Sequence, residues 1–164
     1  MEELRERVIE LLDYDPDTGI FTWKVSKGSQ RAGTEAGTLN NGYSIISIDG
    51  KNHRAHRLAF LLSHGHLPDE LDHINGDPSD NRIENLRPAT RSENNRNTGK
   101  NSKNTSGKKG VSWDKQREKW QANARDSNGK KKHLGRFTTV EAAYVAYNDF
   151  AIKLHGEFYR PSLN

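Results

Sequence analysis

Asp72-His73-Ile74-Asn75-Gly76-Asp77, followed by Asn85-Leu86-Arg87 and then by Ser92-Glu93-Asn94, is the stretch on which the reading of this chain turns. An adjacent Asp and His offer a hard oxygen ligand and a group that titrates near neutrality. Hydrolysis of a phosphodiester needs both kinds of group. A divalent cation must neutralise charge on the phosphate and the leaving oxygen, and a base must take a proton from the attacking water. An Asn can lend a neutral oxygen to a metal, or fix a histidine tautomer by a hydrogen bond. The same residues also fit ordinary turn chemistry, because Asn and Asp beside Gly favour turns. A calcium loop is excluded: counted from Gly76, Leu71 stands where the first ligand Asp belongs and Arg82 where the bidentate Glu belongs. A zinc site from His53, His56, His64 and His66 stays open, although their spacing is loose.

The rest of the chain narrows the class. It has 164 residues, enough for one domain or two small ones, and only 31% of them are hydrophobic, so thin layers are expected rather than one large core. There is no cysteine, which removes disulfide scaffolds, Cys-ligated zinc and thiol catalysis. The longest apolar run, Leu58 to Leu62, is far below the ~20 residues of a membrane span, and the N-terminus does not read as a signal peptide. The net charge of +4 hides an asymmetry. Residues 1–97 hold 12 Lys/Arg against 16 Asp/Glu, whereas residues 98–164 hold 14 against 6. Within 100–136 there are 12 basic and 3 acidic side chains, interleaved with Trp113, Trp120 and His133, which points to a folded polyanion-binding face.

Periodicity predicts a helix over 2–12, a turn over 13–19, a short strand over 20–23 and a loop over 26–42. A strand over 43–48 follows, with an Asp49-Gly50 hairpin turn. A helix over 54–63 ends at Gly65 and Pro68, residues 69–85 read as turn-rich, and a polar helix begins near Ser92. Residues 98–108 carry no apolar side chain and read as a linker, with Lys100, Lys103 and Lys108 able to touch DNA. Three strands are then expected at 110–115, 119–125 and 131–137, the last two joined through Asn128-Gly129, before a helix over 139–154.

His56-Arg57-Leu58-Ala59-Phe60, Asp72 to Asp77, Asp80-Asn81-Arg82, Glu84 to Arg87 and Ser92-Glu93-Asn94 together resemble phage-type HNH homing endonucleases, in motif order and spacing. Tyr14 to Trp23 is similar to the N-terminal lead-in of that group, so the resemblance covers roughly residues 14–97. It implies a ββα-metal nuclease core, two short strands and a helix around one divalent ion. By that resemblance Asp72 and Asn94 ligate the metal, His73 is the general base and Asn85 holds its ring. Asn94 replaces the final His of the letter motif, and an amide oxygen suits Mg²⁺, with Mn²⁺ as the alternative.

Residues 109–164, through Gly110-Val111, Trp120, Leu134-Gly135-Arg136-Phe137, Ala142-Ala143 and Tyr147, resemble the plant AP-two/ERF DNA-binding domain. That resemblance implies a three-stranded antiparallel sheet in the major groove with one helix behind it. By alternation Val111, Trp113, Ala122, Ala124 and Leu134 face the helix. Ser112, Asp114, Gln121, Asn123, Arg125, Lys131 and His133 face outward, with Gln121 the least secure in register, and Lys109, Lys115, Arg117 and Lys130 meet phosphates. By the resemblance Lys109, Ser112, Asp114, Asn123, Arg125, Lys131 and His133 fall at DNA-contacting positions, and Arg125 is the best single base reader. Core packing is the favoured role of Trp113 and Trp120.

The expected architecture is therefore α+β: a lead-in over 1–50, an HNH nuclease core over 51–97, a linker over 98–108 and an AP-two/ERF-like domain over 109–164. The expected function is a site-specific, metal-dependent DNA endonuclease of the homing type, nicking one strand of double-stranded DNA per active site. A DNA-binding regulator with an inactive nuclease core is the rival, and RNA processing a third reading. Nothing signals a dimer, so a monomer is expected, intracellular in a bacterial host if encoded by a phage.

Overall fold

The structure is a computed structural model that describes residues 1–28, 30–91, 93–94, 104–156 and 159. The chain divides into two compact units, Met1–Asn94 and Asn95–Asn164. It is α+β, built from small antiparallel sheets and three helices of ten or more residues among the described residues.

In the first unit, α1 (Glu2–Leu11) carries Glu2 and Glu3 in its first turn, where the helix dipole favours acids, and buries Val8 and Leu11. The chain then extends at once into β1 (Leu12–Tyr14), antiparallel to β2 (Phe21–Trp23), with the Tyr14 ring stacked on Phe21 at 4.7 Å. The expected turn over 13–19 is thus partly strand. Gly19 closes the connection at φ +75°, and a Cβ there would lie 2.5 Å from the Arg82 backbone nitrogen. Tyr14 Oη donates to the Asn81 carbonyl at 2.8 Å, and Ile83 N donates to the Pro16 carbonyl at 3.1 Å. The lead-in therefore grips the loop that precedes Asn85.

β3 (Thr38–Asn40), β4 (Tyr43–Ile48) and β5 (Lys51–Arg54) form the second sheet in that order. Both hairpins turn through paired positive-φ residues: Asn41 and Gly42 at 49° and 82°, then Asp49 and Gly50 at 47° and 79°. β3 falls inside the expected loop over 26–42. Its three side chains are all exposed, so no hydrophobic pattern betrays it, but Asn41-Gly42 was a sufficient turn signal.

α2 (Ala55–His64) ends where Gly65, at φ 75°, donates its N–H to the Leu61 carbonyl. It buries Leu58, Ala59 and Phe60 in one core with Val8, Leu12, Phe21, Trp23 and Ile46, and Leu61 is buried as well. β6 (Glu70–His73) and β7 (Leu86–Ala89) then form a hairpin in which Asp72 faces Arg87 and His73 faces Leu86. The residues between 69 and 85 are therefore not turn throughout. Thr90 and Glu93 make a reciprocal capping box, Thr90 N to Glu93 Oε2 at 2.7 Å and Glu93 N to Thr90 Oγ1 at 3.2 Å. It caps a helical turn that begins at Arg91, one residue before the expected Ser92, which lies outside the described residues.

In the second unit β8 (Val111–Asp114), β9 (Lys119–Arg125) and β10 (Lys131–Phe137) form an antiparallel meander with β9 central. α3 (Val140–His155), N-capped by Thr139 Oγ1 accepting from Ala142 N, packs across all three strands. Ala122, Ala143 and Ala151 are fully buried, and these small side chains let helix and sheet approach closely. Residues 95–103, most of the expected linker with Lys100 and Lys103, lie outside the described residues.

Candidate active site and nucleic-acid interface

The β6–β7 hairpin sets the first unit's polar centre. Asp72 is 3% exposed and takes two hydrogen bonds on one oxygen, from Arg87 Nη2 at 2.8 Å and Nε at 3.0 Å. Arg87 lies directly across the ladder, so the pairing follows from register. Asn94, presented by the capped turn, donates its Nδ2 to the Leu71 carbonyl at 3.1 Å and to Glu70 Oε2 at 3.3 Å. Its amide thus sits beside the backbone of the residue preceding Asp72. Those bonds use the amide nitrogen and leave the orientation of Oδ1 fixed. One carboxylate and one amide oxygen, completed by water and phosphate, are the kind of donor set that holds Mg²⁺. Among the described residues no three His, Asp or Glu side chains gather as a metal cluster, so the zinc set of His53, His56, His64 and His66 is not assembled.

His73 is buried on the other side of the strand. Its ring meets His56 edge-on at 4.8 Å and Tyr43 at 6.1 Å, and Tyr43 in turn carries the Arg54 guanidinium 4.6 Å above its face. Burial lowers the His73 pKa, and the Asn81 side chain opposes that shift. His56, 4% exposed, is pushed down to about 3 by burial, then by His73, Arg54 and Arg57.

Asn85 does something other than hold that ring. Its Oδ1 accepts from Asn75 N at 2.9 Å, and its Nδ2 donates to the Asp80 carbonyl at 2.8 Å and to Asn75 Oδ1 at 3.1 Å. The amide that favours the charged form of His73 is that of Asn81, whose Nδ2 donates to the Ser79 carbonyl at 3.0 Å. Both asparagines stand in one loop, and residue type alone could not assign them. Asp80 reinforces the brace, accepting from Arg82 and from Asn75 Nδ2, and the Arg82 bonds hold its carboxyl down at about 2. Sequence reasoning also missed Tyr43 and gave His56 no role at this centre; Arg87 stood in the motif without a role.

The sheet face of the second unit keeps most expected positions. Val111, Ala122 and Ala124 are buried beneath α3, and Leu134 is half-buried there. Trp113 differs: it pairs with Trp120 at 5.0 Å but is 42% exposed. Register places Gln121 opposite Ser112, hence on the outward face. Asn123 Oδ1 accepts from His133 Nδ1 at 3.3 Å, and Arg125 Nη1 donates to the Gly129 carbonyl at 2.8 Å. Ser112, Lys115, Arg117, Arg125, Lys131 and His133 are exposed, and Lys109 and Asn123 are half-buried. Asp114 is engaged by two arginines, Arg117 Nη1 at 3.4 Å and Arg136 Nε at 3.0 Å, which hold its carboxyl below the usual range. A bulge between His133 and Gly135 reverses the pleat of β10 and puts Arg136 opposite Gln121. Alternation without the bulge overlooks Arg136, although an isolated Gly in a strand signals such an irregularity.

Comparison with known proteins agrees with the first unit's geometry. A family model described as HNH endonuclease matches residues 53–96, from β5 to just past the capped turn, so the chain carries an HNH domain, which points to a nuclease, a hydrolase acting on DNA. The chain is 34% identical over 109 residues to Protein 3.8 of Escherichia phage T7, covering 65% of this chain and 88% of that protein. It belongs to the family of that phage protein. No solved structure matches significantly. No described helix is long and apolar enough to cross a membrane.

Proposed function

We propose that the chain is a site-specific, metal-dependent HNH endodeoxyribonuclease of the homing type, hydrolysing one phosphodiester of double-stranded DNA per active centre. The observation that carries this reading is the juxtaposition of Asp72, His73 and Asn94 on one hairpin and the turn that follows it. Asp72 and the Oδ1 of Asn94 would hold Mg²⁺, or Mn²⁺, which when bound neutralises charge on the phosphate and the departing oxygen. His73 is the general base. Asn81 favours the ring's charged form and so supports its taking up a proton. Burial keeps the resting ring neutral and able to take a proton from water. Asn85 acts at one remove, by bracing the loop from Asn75 to Asp80.

The second unit reads the duplex. A nuclease core contacts mainly phosphates, which carry no sequence information, whereas an antiparallel sheet with one bare basic face fits the major groove. The resemblance to AP-two/ERF domains supports this assignment, with Lys109, Ser112, Asn123, Arg125, Lys131 and His133 on or beside that face. Residues 51–97 would then be the cutting module and 109–164 the reading module.

The test is plasmid nicking by the full chain with and without Mg²⁺. His73→Ala should lower the nicking rate ~10²–10⁴-fold, the usual worth of a general base, and leave duplex binding in place. Nicking by His73→Ala at the wild-type rate would remove the assignment. Metal-independent duplex binding with no nicking by the wild type would favour the regulator instead.

A further inference from the structure

We propose that Arg136, positioned by Asp114, is a base-reading residue of the second unit and selects a guanine; this rests on the reading of that unit's bare sheet face as a duplex-DNA surface. Three observations on that face carry it. The first is the bulge. Without an extra residue between His133 and Gly135, Arg136 would point toward α3 and Phe137 away from it. With it, Phe137 packs into the core, and Arg136 joins Gln121 and Ser112 in one row across all three strands.

The second is the way the guanidinium is held. Asp114 takes Nε at 3.0 Å, and among the described residues Arg136 has no other hydrogen bond. A guanidinium gripped at Nε keeps its Nη1/Nη2 edge for a partner. That edge is the fork that matches O6 and N7 of guanine in the major groove. Arg125, in contrast, already donates Nη1 to the Gly129 carbonyl of its own hairpin.

The third is Asp114 itself. A carboxylate on a face meant for a polyanion costs affinity unless it does something else. Here its side chain is only 12% exposed and lies between two arginines, Arg117 and Arg136, so the cluster still carries surplus positive charge. The acid orients the cation and does not itself touch DNA. Asp114 is therefore a positioning residue and Arg136 the contact.

The test uses the full chain without divalent metal, selecting sites from randomised duplexes by gel shift for the wild type, Arg136→Ala, Arg136→Lys, Asp114→Asn and Asp114→Glu. The wild type should select a guanine at one position where Arg136→Ala does not. Affinity of Arg136→Ala for the selected site should fall roughly 5- to 150-fold, the worth of one bidentate pair, with an unchanged slope of affinity against salt. Arg136→Lys keeps the charge without the fork and should lose the same preference. Asp114→Asn should blunt the preference at that position while raising overall affinity at low salt, and Asp114→Glu should restore part of it. Retention of every base preference by Arg136→Ala overturns the proposal, as does a salt slope reduced by about one with base preferences intact, which marks a phosphate anchor. Arg125→Ala and Lys131→Ala keep the two failures apart. If they weaken binding and Arg136→Ala does not, only this inference falls; if none of the three does, the sheet is not a DNA surface.

Discussion

Replacing Asn85 by Ala separates two views of this residue. If it held the catalytic ring, the variant would fold normally and lose activity. In the structure it is 5% exposed and its side chain makes three hydrogen bonds, all to Asn75 and Asp80. Truncation removes those bonds and strands the Asn75 N–H and the Asp80 carbonyl. A net hydrogen bond is worth about 1 kcal/mol, and leaving a buried partner unsatisfied costs ~1–3 kcal/mol. The side chain also leaves a small void. A loss of about 3 kcal/mol follows, and for a domain of this size each kcal/mol lowers Tm by ~4–8 °C. Differential scanning calorimetry of the full chain should therefore show the transition of the first unit falling by on the order of 10–20 °C, with that of the second unmoved. A shift of the first transition by no more than about 2 °C would refute the bracing role.

Two further outcomes follow from buried charge. Arg87→Met should destabilise the first unit by about 3–5 kcal/mol, because it removes the arginine paired with the Asp72 carboxylate, which is 3% exposed; chemical denaturation reads this, and a loss under ~1 kcal/mol contradicts the pairing. Acid should also weaken this unit above the range where carboxylates titrate. His56 is held neutral, its pKa moved from 6.5 to about 3, so the unfolded chain binds the extra proton first. Stability is complete above pH 6.5 and is lost as pH falls toward 3, at up to about 1.4 kcal/mol per pH unit for this one group. Denaturation curves between pH 7 and 4.5 should show that slope, flattened in His56→Gln; no slope in either protein would oppose the assignment.

Much of the architecture is legible before any coordinates. Val8 and Leu11, Leu58 and Leu61, and Ala143, Tyr147 and Ala151 announce three helices by spacing, and Asp49-Gly50 and Asn128-Gly129 announce two hairpins. The motif likewise brings Asp72, His73 and Asn94 to notice. What stays hidden has physical causes. β6 does not alternate, because Leu71, Asp72 and His73 are all buried, on both faces. β1 is three residues long and continues directly from a helix. The division of labour between Asn81 and Asn85 depends on which loop atoms come near them, and the outward place of Arg136 depends on one extra residue. Pattern reading assumes a constant period and fails wherever the backbone departs from it.

The lead-in has a practical consequence for where a working fragment can be cut. Similarity draws the boundary at residues 53–96, yet Tyr14, Pro16 and Gly19 clasp the backbone at 81–83, and Val8, Leu12 and Phe21 share one core with Ile46 and Leu58. Trimming to the recognised motif would discard the residues that keep its loop in shape. Cooperativity, not homology, sets the smallest autonomous piece, and here that piece begins at the first helix.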